Sequence, residues 1–273
     1  MLGVDSDHPG RAEEVAREVY ASMLERDTPF LVTDLATAEL VKVSANAFLA
    51  TKISFINAIA EVCEVAGADV VQLADAIGYD DRIGRKFLGA GLGFGGGCLP
   101  KDIRAFMARA GELGVDQALT FLREVDAVNL RRRQHVVEQA ARLVGGTLHG
   151  ASIAVLGAAF KPNSDDVRDS PALDVAGRLH LAGAKVRVFD PQAMANAARI
   201  SPTLTYAESI EEAVRGADLV IVATEWQEFR EADPVALGEL VATRSVIDGR
   251  NCLPSQAWLD AGWTYRGMGR LAS

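Results

Sequence analysis

The chain has 273 residues, 49% hydrophobic and 24% charged, with a formal net charge of −9, which is ordinary for a folded chain long enough for two compact units. That acidity argues against a general nucleic-acid surface, and the one dense basic cluster, Arg131-Arg132-Arg133, is short enough to be a solvated helix face. Three widely spaced cysteines, Cys63, Cys98 and Cys252, suggest neither a metal site nor a disulfide framework and fit a reducing, cytoplasmic setting, while the apolar runs are too short for a signal-peptide core or a membrane span.

Residues 12–24 have helical spacing, with Val15, Val19 and Met23 on one side, and residues 30–33 read as a short strand. Elements of this size cannot bury a core alone, so they either pack on something later in the chain or are the tail of a missing domain. Residues 37–66 are almost unbroken helix former without Gly or Pro, apolar on more than one face as in a helix buried by several neighbours. Lys42 and Asn46 stand i and i+4 on it and project from the same side; a lysine there is either snorkelling or working. A helix is predicted over 70–77, ended by Gly78, another after Asp102 to about Leu113, and a long one from roughly Gln117 to Val144. Residues 37–144 therefore read as an all-helical middle.

Between the second and third of these helices lies GLGFGGGCLPKD, residues 91–102. Gly93, Gly95, Gly96 and Gly97 let the backbone take positive φ and come close to a bound group while offering it N–H donors. Cys98 closes that run, and Lys101, within a turn of it, would favour its thiolate, the nucleophilic form. The competing reading is a buried structural cysteine beside a flexible turn; the glycines before it and Pro-Lys-Asp after it favour a nucleophile.

From Gly145-Gly146 the texture changes. SIAVLGAAF, KVRVFDP, DLVIVAT and SVIDGRN read as apolar strands, the last as the final core strand, and they alternate with the helical stretches ALDVAGRLHLAGA, ESIEEAVRGA and VALGELVA. Such alternation predicts an α/β unit with a parallel sheet covered on both faces, whose ligands bind at the carboxyl ends of the strands, where Lys161, Asp190, Glu225 and Arg250 stand. The first turn, LGAAFKP, has one glycine where a dinucleotide fingerprint requires three, which argues against NAD in this unit. The loop FKPNSDDVRDSP is either a salt-bridged surface loop or a phosphate- or carboxylate-binding one, with Lys161 and Arg168 suited to the contacts.

GLGFGGGCLPKD, preceded by AELVKVSANAFLATKISFIN and followed by LGAAFKPNSDDVRDSPALDV, ATEWQEF and DGRN, resembles the UDP-glucose/GDP-mannose dehydrogenase family, most closely its bacterial UDP-glucose 6-dehydrogenases. The resemblance covers essentially the whole chain and implies three parts: residues 1–34, similar to the end of an NAD-binding Rossmann domain; 35–145, a helical dimerisation and catalytic region; and 146–273, a Rossmann-like domain for the UDP-sugar. The glycine fingerprint of the NAD domain, and the family's threonine and glutamates near the reaction centre, have no counterparts here, so the NAD domain is expected to lie outside this chain or to be encoded separately, leaving the chain alone inactive. By the same resemblance Cys98 is the nucleophile, Lys42 and Asn46 stabilise oxyanions, and Asp102 positions or activates water. Phe87, Phe94, Gly95, Lys161 and Arg250 grip the nucleotide sugar, Arg82 reaches the neighbouring subunit's substrate, and Lys101 and Arg168 meet NAD. No metal, nucleic acid or membrane is implied. The alternatives are a dimeric UDP-sugar-binding remnant without turnover, and a GDP-mannose 6-dehydrogenase.

Overall fold

A computed structural model describes residues 1–5, 7 and 10–270. The chain divides into two compact units, Met1–Leu49 and Ala50–Ser273. In the first, β1 (Leu2–Val4) pairs in parallel with β2 (Val32–Asp34), in the register Leu2 to Val32. Between them run α1 (Ala12–Val19) and α2 (Ala21–Leu24), so the helix expected over 12–24 breaks at Tyr20, and Val15, Val19 and Met23 are exposed. Asp34 then accepts the Thr37 N–H at 2.8 Å, which lowers its carboxyl pKa and caps the start of α3 (Leu35–Ala66).

The second unit begins within α3 and adds α4 (Val70–Gly78), α5 (Leu99–Glu112), a 3-10 turn at Asp116–Leu119 and α6 (Phe121–Leu143). Asp69 caps α4 by accepting the N–H groups of Val71 and Gln72, and the helix runs through Gly78 rather than stopping before it. The third helix starts before Asp102, not after it. Pro100 sits in the first turn of α5, where a missing N–H costs no hydrogen bond, and the Asp102 N–H already reaches the Cys98 carbonyl at 2.8 Å.

The α/β part follows as β3 (Ser152–Leu156), α7 (Pro171–Leu181), β4 (Lys185–Phe189), α8 (Met194–Ile200), β5 (Thr205–Tyr206), α9 (Ile210–Val214) and β6 (Leu219–Val222). It continues with α10 (Gln227–Arg230), α11 (Pro234–Gly238), β7 (Ser245–Asp248), α12 (Ser255–Asp260) and β8 (Thr264–Gly267). All pairings are parallel and the strand order is β5-β4-β3-β6-β7-β8, that of a doubly wound Rossmann-like sheet whose order reverses between β3 and β6. The strand SVIDGRN is therefore not the final one: β8 pairs beyond it, from Ser245 and Thr264 to Asp248 and Gly267. Its sequence, TYRG, lacks the apolar run that marks the inner strands. Val155, Val188, Leu219, Ile221, Val246 and Ile247 are buried at the centre, each contributing roughly 1.5–3 kcal/mol by area.

The sheet's far edge is stitched back to the α3–α4 corner. Val70 N–H reaches the Gly269 carbonyl, Gly269 N–H reaches Glu64 Oε1, and Arg270 Nε reaches Asp69 Oδ2, each at 2.9 Å. Among the described residues no helix is long and apolar enough to cross a membrane, and none of their His, Cys, Asp and Glu side chains cluster as a metal site.

Candidate active site

The cysteine loop is threaded between α6 and the carboxyl ends of the sheet, and its glycines answer first to protein neighbours. A Cβ at Gly93 would collide with the Asn129 side chain, and one at Gly95 with the Asp169 carbonyl and, at 2.6 Å, Pro171 Cδ. Several of its amides are also committed: Gly91 N–H donates to Asn57 Oδ1 at 2.9 Å, Phe94 N–H to Asn129 Oδ1 at 2.7 Å and Gly96 N–H to the Arg168 carbonyl at 2.9 Å. The loop comes close to protein more than it lays amides open to a ligand.

What grips its carbonyls was not legible in the sequence. Of the arginine triplet, Arg131 is exposed, but Arg132 is 0% and Arg133 3% exposed, so the cluster is not a solvated helix face. Arg133 donates to the Phe94 carbonyl at 3.2 Å and pairs with Asp169 at 3.0 Å and Asp174 at 3.3 Å. Arg132 points its Nε at the Gly91 carbonyl, 3.5 Å away, and is held by Glu64 and Glu61. Burial alone would raise the Glu64 carboxyl, but the His135 hydrogen bond and charge, the Arg132 charge and the Gly269 N–H together hold it below its ordinary value. From the other side Arg250 Nη1 donates to the Gly93 carbonyl at 3.0 Å and its Nε to the Ala223 carbonyl at 2.8 Å.

A cavity of about 550 Å³ opens against this loop. It brings together five of the residues expected to bind the nucleotide sugar: Phe87, Phe94, Gly95, Lys161 and Arg250. Four cationic side chains, Arg85, Lys86, Lys161 and Arg250, line it against one carboxylate, Glu225, so a chain of net charge −9 presents a locally positive wall. Arg250 Nη2 is buried without a hydrogen-bond partner among the described residues, a donor suited to an oxygen-rich ligand. Phe87 has φ 68°, a left-handed conformation that a bulky side chain rarely takes, and it stands half exposed on the rim.

Cys98 is exposed at the N-cap of α5, one residue before Leu99, which lines the cavity. Of the other two thiols, Cys63 is buried and Cys252 half-buried; burial pushes Cys63 up, aided by Asp69 and Glu64, and burial and then Asp248 push Cys252 up. Beside Cys98 lie exposed Lys101, 3.5 Å from Asp102, and Arg168, whose guanidinium covers Gly97 so closely that a Cβ there would meet it at 2.6 Å. The Asp166 hydrogen bond raises Arg168 above its ordinary value, and the Cys98 charge acts in the same direction. Arg82 is not on the cavity wall; its exposed side chain pairs with Asp80. Lys42 and Asn46 stand one turn apart on α3, in the first unit.

Asp190, grouped with the strand-end residues a ligand would meet, is instead turned inward and 1% exposed. Its Oδ2 accepts the N–H groups of Ala158 at 2.8 Å and Ala159 at 2.9 Å and the Trp226 indole at 2.9 Å, while Oδ1 accepts those of Gln192 and Ala193.

Comparison with known proteins agrees with this architecture. Residues 36–131 match the UDP-glucose/GDP-mannose dehydrogenase family, central domain, and residues 154–255 match the UDP binding domain of the same family. The chain is 42% identical over 270 residues to UDP-glucose 6-dehydrogenase of Rhizobium meliloti (strain 1021), covering 99% of this chain and 61% of the relative. It is 42% identical over 245 residues to UDP-glucose 6-dehydrogenase YwqF of Bacillus subtilis (strain 168), covering 89% of this chain and 55% of the relative. Among solved structures, a UDP-glucose dehydrogenase from the hyperthermophilic archaeon Pyrobaculum islandicum superposes with a TM-score of 0.83 at 37% identity, over 95% of this chain and 56% of that one. The chain thus spans between 55% and 61% of the length of these relatives. With two successive domains of one family matched in order, and the sheet and cysteine loop arranged as described, the chain belongs to the UDP-glucose/GDP-mannose dehydrogenase family.

Proposed function

We propose that this chain carries the nucleophile and the nucleotide-sugar site of a UDP-glucose 6-dehydrogenase, which converts UDP-glucose, two NAD⁺ and water to UDP-glucuronate and two NADH. The observation that carries the reading is the exposed Cys98 thiol at the N-terminus of α5, next to a cation-lined cavity. Arg250 and Lys161 offer donors to a diphosphate, and Phe87 and Phe94 offer flat apolar surface to a base or sugar ring. The matched segments 36–131 and 154–255 fall within the proposed helical region 35–145 and UDP-sugar domain 146–273, with 1–34 assigned to the end of a cofactor domain.

A primary alcohol becomes a carboxylate by two oxidations, with an aldehyde between them. When bound, NAD supplies the hydride acceptor for each. The aldehyde has no hydride to give until a nucleophile adds, so the Cys98 thiolate forms a C–S bond at the carbonyl carbon and the oxygen becomes an oxyanion. Lys42 and Asn46 are the groups we assign to that oxyanion. Loss of the second hydride leaves a thioester at Cys98, which water cleaves with Asp102 accepting its proton, freeing the thiol and the carboxylate. Lys101 and Arg168, exposed near Cys98, are the residues assigned to the cofactor. The turn after β3 does not fit that task, because the Ala158 and Ala159 amides are already filled by Asp190.

Titrating UDP-glucose and then NAD into the 273-residue chain by calorimetry tests the reading. UDP-glucose should bind and slow iodoacetamide alkylation of Cys98, while NAD gives no tight binding and no NADH accumulates. Absence of both binding heat and protection with UDP-glucose would sink the proposal.

The partner assigned is a second copy of the chain. Phe55, Val62 and Val65 stand exposed along α3, and Phe48 lies seven residues before Phe55, a spacing that leaves an apolar face uncovered. Sedimentation at micromolar concentration should give a dimer that Val62→Asp dissociates; a monomeric parent chain refutes this assignment.

A further inference from the structure

The buried carboxylate of Asp190 carries five hydrogen bonds, all from neutral N–H donors of the chain. Two come from the turn that directly follows β3, the first strand of the sheet, where a doubly wound nucleotide-binding fold receives a phosphate on backbone amides. The carbonyls of the same two residues are filled as well: that of Ala158 accepts from Ser170 Oγ at 2.6 Å and that of Ala159 from Thr224 Oγ1 at 2.7 Å. The third donor, the Trp226 indole, belongs to the loop after β6, on the other side of the order reversal. One carboxylate therefore joins the loop that continues into Phe160 and Lys161 to the loop that carries Glu225, and all three residues line the cavity.

We infer that Asp190 is the specificity-determining positioning residue of this sheet: its carboxylate is an internal anion that fills the amide cradle after β3, keeping a nucleotide phosphate out of it and holding the two rim loops that carry Lys161 and Glu225. A cradle of N–H donors accepts an anion whatever its covalent attachment, and a carboxylate of the chain itself binds there without loss of translational freedom. An external phosphate would have to displace it and leave that charge buried without donors, which is strongly unfavourable. The nucleotide is diverted to the neighbouring wall, where Arg250 has an unfilled donor. Only the identity of the ligand rests on the function proposed above.

Asp190→Ala removes the carboxylate and leaves room for formate, a small anion of the same chemistry. In this variant UDP-glucose affinity should fall by about tenfold or more, the scale of a lost charge-assisted network. Added formate should restore most of it and shift the indole N–H resonance of Trp226; the parent chain should respond to formate in neither way. Asp190→Asn, which brings two donors into a cradle of donors, should bind as weakly as Asp190→Ala and gain nothing from formate. Unchanged affinity in Asp190→Ala, or a loss that formate does not reverse while the Trp226 resonance reports it bound, overturns the inference. If Asp190→Ala folds only when formate is present, the internal-anion assignment stands. If it does not fold under either condition, Trp226→Phe, which removes one donor of five, decides: weaker UDP-glucose binding supports the coupling of the rim loops, and unchanged binding overturns it. Should the parent chain bind no UDP-glucose, the function reading fails by itself, and the formate response of Trp226 still tests the cradle.

Discussion

The loop at residues 91–98 and the turn at residues 157–161 both approach the same cavity, and the protein saturates them in opposite senses. In the loop, arginines grip carbonyls: Arg132 faces Gly91, Arg250 binds Gly93 and Arg133 binds Phe94. In the turn, an aspartate grips amides. Each arrangement fixes backbone with buried charge, but the loop ends in an exposed thiol, whereas in the turn the amides and carbonyls of Ala158 and Ala159 are all taken by protein partners. A glycine-rich stretch is thus not a ligand cradle by composition; the charge that the fold places against it decides which polar groups remain for chemistry.

The sharpest way to break this comparison is at the open end of the loop. In a dehydrogenase assembled from this chain and a cofactor-binding domain, Cys98→Ser should abolish uronate formation, because a hydroxyl is a far weaker nucleophile at neutral pH. UDP-glucose binding should persist, since the thiol is outside the cation-lined wall. Parent-like uronate production by the variant removes Cys98 from the mechanism.

The grip on the carbonyls is tested by Arg133→Ala. Removing one partner of a buried ion pair typically costs about 3–5 kcal/mol, and because Asp169 and Asp174 keep roughly a third of their side-chain surface in water we expect ~2–3 kcal/mol here. Chemical denaturation of the variant should show that loss together with weaker UDP-glucose binding. A variant as stable as the parent would mean that Asn129 alone secures Phe94.

A smaller effect lies one shell out, at Glu64. Its pKa is lower in the folded chain than the ordinary 4.5, so the stability it contributes is fully present above that value and is lost as pH falls through the lower folded-state pKa. Thermal melts of the parent and Glu64→Gln should differ at neutral pH and converge in acid below pH 4.5. A difference independent of pH would show that Glu64 acts through shape and not charge.

Much of this was legible from the residues. The apolar runs of β3, β4, β6 and β7 announce a covered parallel sheet, and the Gly-free stretch of α3 announces a long helix. β8 escaped because an edge strand such as TYRG needs only one apolar face. Cys98, and the set Phe87, Phe94, Gly95, Lys161 and Arg250, came from a loop motif and a family resemblance, and the fold brings those five to one cavity. Arg132, Arg133 and Asp190 escaped for a different reason. Composition treats a charged residue as solvent-facing, and only the approach of Gly91, Phe94 and Ala158 from distant parts of the chain gives these charges an interior to serve. The one available signal was the small residues themselves, since backbone without side chains invites a close partner.

The stitch between Gly269–Arg270 and the α3–α4 corner has a consequence for how the molecule is made. Gly269 follows Glu64 by 205 positions and Arg270 follows Asp69 by 201, so the helical layer leaves the ribosome long before the residues that clamp it. Throughout that interval Ala60 and Val70, which also pack in a local cluster with Ile56, Cys63, Ala74, Leu88 and Ala90, lack the cover that Gly269 gives them in the finished fold. Closure of this clamp must wait for the sheet to reach β8, which makes it a late and topologically remote event in folding. A nascent chain arrested before residue 264 should therefore expose the α3–α4 corner to protease, and release of the complete chain should protect it.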